Sequence, residues 1–449
     1  MKTRYPLLIN KFGLRKIAAS VLLMFSSLLG AGQEVLSQER DVRLFSEGEH
    51  LQEHAQHGAS LENFSSVLYN VRDLRHSDAQ FHKAADALTL FHNNGEKLML
   101  EYIANHPTSA KIPRAYFELG NYYVGLKNYR QGVFYYSKAD VDGLSSEEQT
   151  TLYFRSGYAL FSERRFEEAL PSFDVVKYKP GHYQAAAGYY AGFIEYSNGN
   201  YSQALVDLRQ AEAHESYKTV VPYMIAATLY KQGAYEELLK YADRLKDSVV
   251  SEKSEINLLA AHSFFQTKDY KNALKQYEDY FKERGSSLSG VQYRAGYSAF
   301  QAGEYDKAVE RLKTAATEKD TAALYAAYYL GCSYLKMNRK ELALPVFKAA
   351  GEKSPEALAS EASHMYGLTA LDLGKAEDAI SEFESYLEKY PDGNHAAQVR
   401  DLLSQTYLNG NYYNKAIAYI ESLKNRNQTI NQAYQKATML KGEELFNLE

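Results

Sequence analysis

From residue 113 onward, apolar and polar positions follow the period of an α-helix, and the whole pattern returns every 34–38 residues. Its clearest copies read YFRSGYALFSERRFEEALPSF from Tyr153, YRAGYSAFQAGEYDKAVERL from Tyr293 and YYLGCSYLKMNRKELALPVF from Tyr328. One register position is small: Gly120, Gly157, Gly192, Ala226, Ala261, Gly296, Gly331 and Gly367. Twelve residues later come Gly132, Ala169, Ala204, Leu238, Ala273, Ala308, Ala343 and Ala379. Three before this second position stand Tyr129, Phe166, Tyr201, Tyr235, Tyr270 and Tyr305, and four beyond it Phe173, Tyr277, Leu312, Phe347 and Phe383. Ser404, Tyr413 and Ala416 carry a further copy.

The pattern predicts two antiparallel helices per repeat. They approach closely where both side chains are small, and an aromatic ring fills the wedge beside the turn. Glycine inside a helix costs about 1 kcal/mol relative to alanine, so its recurrence implies a packing use. The turns SNGN at 197–200, QAGE at 301–304 and LNGN at 408–411 supply Asn and Gly where first helices end. Two departures stand out: Pro222 in an early helical turn, and Leu238 in place of alanine, which together predict local opening of the fourth copy.

This register resembles the tetratricopeptide repeat (TPR) family over about three quarters of the chain. The resemblance implies an all-α fold, a right-handed superhelical solenoid of about nine to eleven TPR-like helix-turn-helix repeats. Residues 113–430 form the regular array, and 33–112 a degenerate pair or two that cap it, with helices expected at Leu44–His54, Asn63–Leu74, Ala79–Phe91 and Glu96–Ala104. Residues 431–449 read as the first helix of a truncated further repeat, with Gly442 at the small position and Leu445 and Phe446 left exposed.

In the family, ligand contacts come from a few positions on the first helices, which line a concave face. Carried over, those positions are Phe154, Tyr158 and Phe161, then Tyr189, Phe193 and Tyr196, then Tyr223 and Tyr230. His262 and Phe265 follow, then Tyr293, Tyr297 and Phe300, then Tyr325 and Tyr328. This is an aromatic ladder, suited to a helix or extended peptide segment of a partner. Stacked rings also suit glycan such as peptidoglycan, and inter-repeat packing alone accounts for some of them. A basic clamp for a peptide carboxylate finds its nearest candidates in Arg114, Asn121 and Arg155.

The first 32 residues change the setting. Lys2, Arg4, Lys11, Arg15 and Lys16 precede an apolar run, Ile17 to Leu29, and the small residues Gly30, Ala31 and Gly32. That is the layout of a secretory signal peptide, 1–32, leaving no transmembrane segment in the mature chain. Its removal takes the net charge from -5 to -10, since five cations and no anion leave. The expected location is periplasmic, tied to the outer membrane through envelope protein partners. The chain is similar in this to large exported TPR proteins of Gram-negative, Bacteroidota-like bacteria.

With 51 basic against 56 acidic side chains and no basic stripe, no nucleic acid partner is expected. Cys332 is the one cysteine, read as a packed hydrophobe within a helix. The string His50-Leu-Gln-Glu53-His54 has the HxxEH form of inverted zinc metallopeptidases, but nothing beside it supplies a catalytic domain. No Gly-rich phosphate loop or nucleophile elbow is found, so no cofactor is expected. The reading is a non-enzymatic scaffold of the cell envelope.

Overall fold

The computed structural model describes residues 36–69, 75–284 and 288–447. The expected signal peptide lies outside them, as do residues 70–74 of the helix expected at Asn63–Leu74. Every regular element among the described residues is helical, with no strand. The fold is an all-α, TPR-like superhelical solenoid.

The chain divides into two compact units, 1–217 and 218–449. In the first, α1 (36–53) pairs with α2 (His57–Tyr69), and α3 (His76–Thr89) with α4 (Gly95–Asn105). Then α5 (Ile112–Gly125) pairs with α6 (Tyr129–Tyr136), α7 (Ser146–Ser162) with α8 (Phe166–Lys177), and α9 (Gln184–Ser197) with α10 (Tyr201–Glu212). The second unit begins with α11 (Val221–Gln232) and α12 (Tyr235–Arg244), then α13 (Lys253–Gln266) and α14 (Tyr270–Arg284). Next come α15 (Ser289–Gln301) with α16 (Tyr305–Ala315), and α17 (Thr321–Lys336) with α18 (Lys340–Lys353). After α19 (Glu356–Asp372) with α20 (Ala376–Lys389) and α21 (Ala396–Asn409) with α22 (Tyr413–Ser422), α23 (Gln428–Phe446) follows.

The pairs with glycine at the small position are clasped at the same place. A Cβ on Gly120 would lie 2.3 Å from Tyr136, on Gly192 2.7 Å from Leu208, and on Gly296 2.6 Å from Leu312. On Gly331 it would lie 2.7 Å from Phe347, and on Gly367 2.3 Å from Phe383. The large residue always stands sixteen positions after the glycine, on the second helix. Glycine is kept because the ring or leucine occupies the space a methyl group would need. Gly442, by contrast, has nothing within 4 Å of its would-be Cβ, and Leu445 and Phe446 are exposed.

The same arithmetic reaches further back than expected. A Cβ on Gly48 would lie 2.9 Å from Phe64, sixteen residues later, and the small residue at twelve is Ser60, fully buried. The α1–α2 pair is thus a repeat in the full register rather than a degenerate one. Its second helix begins with His57 instead of an aromatic ring at the wedge, which hides it from a search on ring positions.

Seven residues after each small position the backbone turns left-handed. Gly199, Gly233, Gly303 and Gly374 do this without steric cost, whereas Lys127, Arg164, Lys268, Asn338 and Asn411 do it as non-glycine residues. At 408–411 α21 ends at Asn409 with Gly410 directly after it, and the residue with positive φ is Asn411. Pro222 falls in the first turn of α11, where its missing N–H is harmless, so it does not break the helix, while α11 and α12 pack less closely than most other pairs. In this copy the sizes invert: Leu238 is fully buried where others have a small residue, and Ala242 sits where others have a large one.

Candidate interaction surface

Apart from Tyr325, which lies six before Gly331, the ladder residues sit at three register positions on the first helices: three before the small residue, one after it and four after it. Those at the last position pack on the wedge ring of their own repeat. Phe161 lies 5.2 Å from Phe166, Tyr196 5.9 Å from Tyr201, and Tyr230 5.7 Å from Tyr235. Phe265 lies 5.8 Å from Tyr270, and Phe300 5.9 Å from Tyr305.

The position after the small residue reaches back to the preceding repeat. Tyr158 meets Tyr129 at 6.1 Å, Phe193 meets Phe166 at 6.1 Å, and Tyr297 meets Tyr270 at 5.5 Å. Three-ring clusters result, as in Phe161, Phe166 and Phe193, or Phe265, Tyr270 and Tyr297. The first position reaches toward the following segment, where Phe154 stacks on Tyr183 at 4.2 Å, Tyr189 meets Tyr217 at 5.6 Å and Tyr293 meets Tyr325 at 6.2 Å, whereas Tyr328 meets Phe347 of its own repeat at 5.9 Å. Tyr223 is half-buried early in α11.

The rings are mortar between repeats and surface at once. Every member is half-buried except His262, which is buried, and Tyr325, which is 38% exposed. Two rings of the same surface escaped the sequence reading, Tyr190 and Tyr329, each two residues before its small position. Tyr190 stacks on Phe173 at 5.3 Å and meets Phe161 at 4.9 Å; Tyr329 meets Tyr297 at 4.6 Å and Phe300 at 5.6 Å. Only these two copies have tyrosine at that register, so no recurrence announced them.

Burial holds the hydroxyls neutral: it pushes the Tyr190 and Tyr293 phenols up to about 12, with neighbouring tyrosines adding to the effect. The surface therefore offers flat apolar area and uncharged hydroxyls. Cys332 is half-buried among these rings, and burial raises its thiol to about 11, which makes it a packing residue rather than a nucleophile.

The proposed carboxylate clamp is already engaged by the chain's own acids. Arg114 Nε lies 2.9 Å from Glu148 and 3.8 Å from Glu118. Asn121 Oδ1 accepts from Tyr136 Oη at 2.8 Å and from Arg155 Nη1 at 3.1 Å. At the HxxEH string, α1 ends at 53, so His54 enters the turn. Its Nδ1 lies 2.8 Å from the His50 carbonyl, with the two rings 4.2 Å apart and Glu53 exposed. Among the described residues no group of three His, Cys, Asp or Glu side chains is placed to hold a metal ion. No helix of the described residues is long and apolar enough to cross a membrane.

Family models match four segments. Tetratricopeptide repeat models match residues 113–140, 293–357 and 328–394, and the model for subunit 3 of the anaphase-promoting complex, or cyclosome, matches 231–315. No curated protein matches the sequence. Among solved structures, a tetratricopeptide repeat protein from Parabacteroides merdae is similar at 15% identity, over 57% of this chain and 98% of that one, with a TM-score of 0.36. YrrB, described as a TPR protein with an unusual peptide-binding site, is similar at 19% identity over 46% and 99%, with a TM-score of 0.34. The Cut9–Hcn1 assembly is similar at 12% identity over 91% and 92%, with a TM-score of 0.28.

Proposed function

Since the chain is a tetratricopeptide-repeat protein, we propose that it is a protein-binding scaffold whose first-helix aromatic rows receive a helix or extended segment of a partner. Repeats of this kind are generally non-enzymatic. The observation that carries the reading is the incomplete burial of the ladder. Rings such as Tyr158, Phe193, Tyr293 and Tyr297 hold repeats together yet keep part of their faces in solvent. Rigid rings with neutral hydroxyls bind with little loss of side-chain freedom. The basic apolar start of the sequence supports export, and with it an envelope partner.

Site-resolved photo-cross-linking in intact cells tests this. A photoreactive residue at Tyr158 or Tyr297 is expected to trap one discrete envelope protein. The same group at Val206, which is 56% exposed on a second helix, is expected to trap none. Equal trapping at all three sites, or none at any, contradicts the proposal. Retention of the protein by isolated wall sacculi, with no protein adduct, would favour glycan instead.

A further inference from the structure

In the second unit Arg311 grips Glu278 with two bonds, Nε–Oε1 at 2.9 Å and Nη2–Oε2 at 2.7 Å. Arg294 on α15 departs from this. It is half-buried, and among the described residues no carboxylate lies within ion-pair distance of it. Its Nη1 instead faces Nε2 of His262 at 3.4 Å. The His262 Nδ1 in turn lies 2.7 Å from the hydroxyl of Tyr277, a fully buried ring. With the cation donating to Nε2, Nδ1 carries the proton and donates to Tyr277 Oη. Burial, then the Arg294 charge, lowers the His262 pKa to about 3, so this imidazole stays neutral and cannot balance the guanidinium. Two buried polar side chains are spent on aiming one cation, and most of its five donors are left over.

The first unit holds a related arrangement with a carboxyl group beside it. Arg155 stands two residues before Gly157, as Arg294 stands two before Gly296. Asn121 and Tyr136 of the preceding repeat occupy the register positions of His262 and Tyr277, and are likewise bonded to each other. There Glu118, two before Gly120, accepts from Asn121 Nδ2 at 3.4 Å and lies 3.8 Å from Arg114; burial raises its pKa, and the charges of Arg114 and, more weakly, Arg155 oppose that. At the matching position of the second unit, two before Ala261, the residue is Leu259. The carboxyl group that stands one Asn121 hydrogen bond away from Arg155 has an apolar counterpart near Arg294.

Arg294 and His262 line an open cavity of about 970 Å³ whose apolar wall includes Leu258, Tyr280 and Val291. Three carboxylates stand elsewhere on its lining. Glu255 is 3.4 Å from Arg284, Asp320 accepts from Ala323 N at 2.8 Å and from Ser289 Oγ, and Glu318 is exposed. They repel a polyanion but leave room for one negative group seated on the guanidinium.

We propose that Arg294 receives a single carboxylate, an aspartate or glutamate side chain of a protein partner flanked by neutral or apolar residues. This rests on the scaffold reading and names the chemistry of one contact within it.

The test uses the full chain and two fluorescein-labelled pools of short peptides, one with a central Glu and a matched one with Gln, flanked by Leu, Tyr, Ser and Thr. Anisotropy titration is expected to show the Glu pool binding about tenfold tighter, with the difference shrinking as salt is raised. R294Q should abolish the preference, while R294K, which keeps the charge, should retain part of it. Circular dichroism melts of both variants confirm that the helices persist. Equal binding of both pools, or a preference that survives R294Q, overturns the inference and leaves the scaffold reading intact. Failure of either pool to bind also overturns it, and the cross-linking experiment then decides the scaffold reading separately.

Discussion

At the residue scale, two backbone demands recur and can be tested one atom at a time. A methyl group on Gly331 would press on Phe347, so Gly331→Ala is expected to destabilise by about 1–3 kcal/mol despite the gain in helix propensity. The same change at Gly442, where nothing lies within 4 Å, should stabilise α23 by up to about 1 kcal/mol. Urea titration of the two variants measures both signs. The left-handed turn residue offers a second check. Arg164 has φ 61° and is exposed, so Arg164→Gly should raise the urea midpoint by an amount worth roughly 1 kcal/mol. Both positions were visible in the sequence only in part. The small residues recur as a column, but the turn column contains Lys, Arg, Asn and Gly, because its requirement is conformational and several residue types can meet it at a cost.

At the element scale, the first helices serve two masters. Phe300 on α15 touches Tyr305 of its own repeat and Tyr329 of the next, so it is a joint as well as a surface. Phe300→Ala is expected to cost about 2–4 kcal/mol in chemical denaturation, more than a solvent-facing ring would. The sequence located the ladder, since the family register puts rings at fixed offsets from a glycine. It could not separate mortar from surface, because both uses want the same flat apolar side chain. Tyr190 and Tyr329 were missed because their register is otherwise filled by Glu, Arg, Met or Leu. The α1–α2 pair was read as degenerate for the converse reason: its packing triad Gly48, Ser60 and Phe64 is intact, but the ring that flags a repeat is a histidine.

At the scale of the whole molecule, buried neutral histidines set an acid limit. Burial lowers His82 and His262 to about 3 and His364 to about 4, with nearby cations or the stacked His395 adding to it. Their unfolded value is about 6.5, so between that pH and about 4 the unfolded chain binds the extra protons. Stability is therefore full above pH 6.5 and declines as pH falls, by about 2 kcal/mol per histidine at pH 5. Denaturation midpoints measured from pH 7 to 5 should fall, and His364→Gln should flatten the decline. An unchanged slope in that variant would remove His364 from the account.

The fold rests on one recurring clasp, in which a glycine of a first helix makes room for a large residue sixteen positions on. A double-mutant cycle between Gly367 and Phe383, one of the two closest such pairs, reads it directly. Gly367→Ala should destabilise the native protein, yet cost nothing or turn stabilising once Phe383→Ala has emptied the facing space. If the added methyl group costs the same in both backgrounds, the two helices do not meet there and the repeat register is wrong.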